Sequence, residues 1–131
     1  MVEILETDHE KKFLLDPYLD FVKNEGPPIH EDFGIDVLSA EMGDWPRFDA
    51  RGAFIHVKGR GDFCSCYALE IEPGKKTAPI KHLYECFVYV LEGHGSTTIE
   101  LPNGERHSFE WGPKSLFALP LNSGYQIFNG S

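Results

Sequence analysis

The chain has 131 residues, enough for one domain whose core needs no disulfide support. Its formal net charge of −9 argues against nucleic acid and anionic membrane surfaces as partners, since both select basic faces. No apolar run approaches the roughly 20 residues of a membrane span, and the N-terminal MVEILETDHEKK lacks the basic and apolar regions of a signal peptide, so a cytoplasmic location is expected.

The first element is a helix. Within Asp8 to Gly26, Asp16 before Pro17 supplies an N-cap and a first-turn proline, and Gly26 is a natural stop. Tyr18, Phe21 and Val22 recur at helical spacing, which leaves Asp20, Lys23 and Glu25 toward water. Gly26-Pro27-Pro28 then breaks the chain, and everything after it reads as β. Short strands are predicted over Ile35 to Ala40 and Ala53 to Val57, with Trp45-Pro46 in the loop between. A longer strand from Phe63 to Ile71 places Tyr67, Leu69 and Ile71 on one face and Cys64, Cys66 and Ala68 on the other. Three cysteines make no disulfide framework, and Cys64, Cys66 and Cys86 are read as small buried hydrophobes.

Pro73-Gly74 suits the centre of a type II turn, because proline presets φ and glycine accepts a positive one. The run Cys86 to Leu91, CFVYVL, is β-branched and aromatic and reads as a strand buried on both faces. Further strands are predicted at Ser96 to Leu101, Glu105 to Trp111, Ser115 to Leu119 and Tyr125 to Phe128, with Pro102-Asn103-Gly104 closing a hairpin. Short strands at this spacing argue an all-β antiparallel sandwich or barrel.

Two stretches carry a family pattern. Gly74, His82 and Gly93 fall at the spacing G, five residues, H-x-H, three or four residues, E, six residues, G. Ile80 then stands at the first histidine and Cys86 at the glutamate. Downstream, Lys114-SLFAL-Pro120-Leu121-Asn122-SG-Tyr125-QIF-Asn129 is similar to G-x5-P-x-G-x2-H-x3-N. The chain from Cys64 to Asn129 resembles the cupins in both motifs. The resemblance implies a double-stranded β-helix (jelly-roll) barrel over residues 34–131, preceded by a helical segment and linker over residues 1–33. Of the four usual metal-ligand positions only His82 keeps its usual residue. Ile80 has no donor atom, and Cys86 and Tyr125 would be unusual ligands.

Alternation along the strand puts His82, Tyr84, Cys86, Val88 and Val90 on one face. By the resemblance that face looks into the barrel, as Tyr125 should. The expected ligand pocket is therefore His82, Tyr84, Cys86 and Tyr125 among apolar side chains. Glu85 points the other way, and would need a bulge to replace the missing carboxylate. A Cys86 thiolate activated by His82 lacks any third orienting group. His9, His30, His56, His94 and His107 carry no such pattern and are read as having no role.

The leading expectation is a divergent cupin that binds a small aromatic or carboxylate-bearing molecule with no metal cofactor. One alternative is a non-heme oxygenase or isomerase using His82 with a divalent metal such as iron or manganese. Another is the structural half of a two-barrel protein. Cupins similar to this continue past the final asparagine with a closing strand, so the edge near Asn129 should be filled by N-terminal strands, a second chain or further polypeptide. Phe87, Tyr89 and Leu91 alternate away from the pocket, and the resulting apolar face leads to an expected homodimer burying more than about 1,000 Å².

Overall fold

In a computed structural model of the protein, residues 17–60 and 64–131 are described. The helix α1 spans Pro17–Glu25 and stops where Gly26 takes φ 106°, a conformation that favours glycine. The predicted N-cap, Asp16, lies outside the described residues. Val22 is fully buried, Tyr18 is half-buried, and Phe21 sits at the rim, edge-on to Phe54 at 6.5 Å between ring centres. Glu25 does not face water as its helical position predicts. It accepts the Trp45 indole N–H at 2.8 Å and two Arg47 guanidinium bonds at 2.6 and 3.0 Å. The Arg47 bonds hold its carboxyl below the usual range, against an opposing push from burial.

The next strands gather around β3, Ala50–Val57. On one edge β4, Cys66–Glu70, runs antiparallel along Arg51 to Ile55. The other edge is shared by β1, Ile29–Asp32, which pairs in parallel with Phe54 to Val57, and β2, Gly43–Trp45, which pairs antiparallel with Ala50 to Gly52. The segment read as a linker thus supplies a strand. Ile35 to Ala40 is not one: Val37–Ser39 forms a 3-10 turn closed by Ser39 and Ala40 amides on the Asp36 and Val37 carbonyls. With no strand among the described residues pairing with it, this short run meets its backbone bonds locally.

Trp45, predicted in a loop, ends β2 and is the centre of the core at 2% exposure. Phe48 and Phe54 lie 4.7 Å from its ring and Tyr67 lies 5.1 Å away, in the tilted and edge-on geometries aromatic pairs prefer. Gly52 makes this possible, because a Cβ there would come within 2.6 Å of the indole and 2.5 Å of the Ala68 carbonyl. Leu69 and Ile71 pack on the same core as Tyr67, as the strand alternation predicts. Cys64 and Cys66 are exposed rather than buried, since they stand on the opposite face, where β4 begins.

A second sheet has the order β5 (Ile80–Lys81), β10 (Gly124–Asn129), β7 (Gly95–Glu100) and β8 (Arg106–Trp111), antiparallel throughout. Before it, Pro73-Gly74 makes the expected turn, with Gly74 at φ 82° and the Lys75 amide on the Glu72 carbonyl. Gly104 at φ 91° closes the β7–β8 hairpin. A third, two-stranded sheet pairs β6 (Cys86–Tyr89) with β9 (Leu116–Leu119). The described residues are therefore mostly β with one α-helix, and they form no closed barrel. β6 is not covered on both faces as the apolar run predicts. Cys86 and Val88 face the core, while Phe87 is 79% and Tyr89 55% exposed, because nothing among the described residues packs on the outer side.

Replacing Trp45 by Ala should lower unfolding stability by about 3–5 kcal/mol, measured by denaturant titration. A second outcome concerns acid. His56 is buried and bonded to the Tyr18 hydroxyl at 2.9 Å, joining α1 to β3. Burial first, and then Arg60, push its pKa below 6.5, while Glu31 pulls it up. The unfolded chain then binds the proton more readily than the folded one, so stability present above pH 6.5 is lost as the pH falls below it. The melting temperature should drop across this range, and His56→Gln should flatten the drop.

Candidate functional site

The four residues expected to converge do come together. β5 ends just before His82, and the Asn122 amide bonds the His82 carbonyl at 2.9 Å, which ties this turn to the start of β10. Tyr125 stands opposite Ile80 in the β5–β10 ladder, and both are buried. The Tyr125 hydroxyl lies 3.0 Å from His82 Nε2, and its ring stands at 70° to the imidazole with centres 5.4 Å apart. Tyr84 stacks flat on the other side of His82, at 3.9 Å and 4°. Its own carbonyl lies 2.7 Å from His82 Nδ1.

These contacts select a tautomer. A carbonyl only accepts, so Nδ1 carries the proton and donates to Tyr84 O. In the neutral ring Nε2 is then the acceptor, and the Tyr125 hydroxyl donates to it. Cys86 lies at the same nitrogen but farther off, at 3.9 Å from sulfur. Its thiol also meets the Tyr67 hydroxyl at 3.7 Å. Burial pushes the Cys86 thiol and the Tyr67, Tyr84 and Tyr125 phenols up from their usual values, so all four hold their protons at neutral pH. The result is a wall of neutral hydrogen-bonding groups set in an aromatic surround.

Two further residues escape the sequence reading. Tyr67 arrives from β4, in a different sheet, and only its face could be read from alternation. Ser123 is fully buried, and its hydroxyl has no hydrogen-bond partner. It alternates inward with Tyr125 and Ile127, both buried, and follows directly on the Asn122 that bonds His82. Counting back two from Tyr125 is the signal that could have found it. Glu85 is exposed on the outer side, as expected.

Of the positions where the sequence resemblance places metal ligands, only His82 keeps the usual residue. Ile80 supplies no donor. Among the described residues no three His, Cys, Asp or Glu side chains gather in a metal-holding group. No described helix is long and apolar enough to cross a membrane.

The remaining histidines stand apart from this cluster. His30 bonds the Glu41 carbonyl, His94 lies at the β6–β7 turn, and His107 lies 3.5 Å from Glu105 on the surface. His9 falls outside the described residues. Two open depressions occur elsewhere: one of about 380 Å³ lined by Lys76, Thr98 and Gln126, and one of about 350 Å³ beside β1. Comparison with protein-family models finds no match to this chain, and comparison with curated proteins finds no significant relative.

Thiol reactivity checks the environment of Cys86. Limited alkylation of the folded protein, mapped by mass spectrometry, should label exposed Cys64 well before Cys86, and the difference should vanish in denaturant.

Proposed function

We propose that this chain is a divergent cupin-type domain, a jelly roll whose inner wall binds a small aromatic molecule bearing a carboxylate or hydroxyl, without a metal centre. The observation that carries this reading is Ser123. A buried hydroxyl without a partner costs about 1–3 kcal/mol, and sites built for ligands are where such groups persist. Its neighbours supply the rest of a recognition surface. His82 and Tyr125 form a fixed donor–acceptor pair, and Tyr67 and Cys86 stand behind them.

Tyr84 defines the ligand class. Its ring lies flat on the imidazole of His82, yet the residue is 52% exposed. A side chain held by stacking and open to water can swing aside, and an aromatic ligand then takes the same place on His82. The polar end of the ligand reaches Ser123. Neutral donors suit a carboxylic acid or phenol better than a multiply charged anion, and the Arg47 guanidinium that acts on Tyr84 is itself paired with Glu25. With the reactive groups all protonated, the site supports binding, and no step of covalent chemistry is derived from it.

Calorimetric titration with a panel of aromatic and aliphatic carboxylic acids tests the proposal. Aromatic acids should bind, and Ser123→Ala or His82→Ala should weaken binding by about tenfold or more, as loss of a buried hydrogen bond does. Binding indifferent to both substitutions, or one equivalent of metal removed by His82→Ala, would defeat the reading.

A further inference from the structure

The outer side of the β6–β9 sheet is the least covered apolar surface among the described residues. Phe87 stands opposite Ala118 in the ladder and Tyr89 opposite Leu116, so these four side chains share the outward face. Phe87 is 79%, Leu116 66% and Tyr89 55% exposed, and Leu91 beyond them is 45% exposed. Their partners in alternation, Cys86, Val88, Phe117 and Leu119, all face the core. The strip is therefore a consequence of strand alternation carrying apolar residues at every position, inside and out.

Such a surface needs an occupant, and its composition identifies one. A side chain the size of Phe or Tyr presents roughly 150–250 Å², so these exposures amount to an apolar area on the order of 500 Å² per chain. Two copies together reach roughly 1,000 Å², the lower bound for a specific interface. The strip itself carries no charge, although the chain as a whole carries −9. Its ends are charged and opposite. Glu85 precedes Phe87 at one end, and Lys114 precedes Leu116 at the other. Neither residue has an ion-pair partner on its own chain among the described residues. A two-fold axis lying in the interface reverses the strand direction of the second copy. It sets Glu85 of each chain against Lys114 of the other and doubles every contact.

We infer that the outer β6–β9 face is the interface of a homodimer, two sheets stacked face to face with their strands antiparallel. The Phe87 and Tyr89 rings form its centre and the Glu85–Lys114 pairs its rims. This placement is independent of the ligand wall, which lies on the opposite side of the same strands, so the dimer and the ligand reading stand or fall separately.

Sedimentation velocity of the chain at micromolar concentration should return twice the 14.8 kDa chain mass. Phe87→Glu should return the single mass with an unchanged far-ultraviolet circular dichroism spectrum, since the substituted side chain is exposed in the folded chain. Glu85→Lys should weaken the dimer by about fivefold, the scale of two exposed ion pairs, and adding Lys114→Glu should restore it. A monomeric wild type, as when further polypeptide or another protein covers the strip, overturns the inference. So does a dimer indifferent to Phe87→Glu, or a double exchange that fails to restore association.

Discussion

Burying an indole creates an obligation. The Trp45 ring removes a large apolar area from water, but its N–H must still find an acceptor, and that acceptor is Glu25. The same carboxylate takes two bonds from Arg47, two residues after Trp45 and just beyond the end of β2. One side chain therefore joins the end of α1 to the centre of the first sheet. Phe48, Phe54 and Tyr67 close around the ring, and Gly52 gives it room. Tyr67 is the link onward: its ring packs on Trp45, and its hydroxyl meets Cys86 in the candidate site. The aromatic core and the ligand wall share a residue, so the wall inherits the rigidity of the core.

The wall draws on all three sheets. His82 and Cys86 follow β5, with Cys86 opening β6, Tyr125 belongs to β10, and Tyr67 comes from β4. Each can donate or accept a hydrogen bond, and burial keeps each phenol and the thiol protonated. Such a site recognises shape, ring stacking and hydrogen bonding more readily than charge. Its neutral phenols and thiol contrast with the composition of the chain, in which 21 acidic residues outnumber 12 basic ones. The outer side of β6 and β9 is apolar, with Phe87, Tyr89 and Leu116 exposed.

Much of the architecture was legible in order along the chain. Proline and glycine act within a few residues, so the start and stop of α1, the Glu72–Lys75 turn and the Pro102-Asn103-Gly104 hairpin could all be read locally. Strand alternation placed Tyr67, Leu69 and Ile71 inward, Glu85 outward, and Phe87 and Tyr89 away from His82. The resemblance of two motifs, and not periodicity, singled out His82, Cys86 and Tyr125, although positions 82 and 125 are far apart in sequence. The turns and the alternation depend on backbone preference and period, which a single chain displays directly.

The tertiary structure decided what depends on a distant partner. Ile35 to Ala40 is strand-like in composition, but no neighbour pairs with it and it turns. Ile29–Asp32 follows two prolines, yet β3 offers it an open edge and it becomes a strand. Glu25 occupies a solvent position on the helical wheel and is drawn inward by an indole twenty residues away. Cys86 to Leu91 is apolar on both sides, and only the tertiary structure shows that no described residue packs on the outer one. Ser123 is a serine in a Ser-Gly turn until β10 carries it into the interior without a partner. Local conformation follows from a residue and its near neighbours, whereas burial and pairing follow from which surfaces meet, and the chain settles that only when it folds.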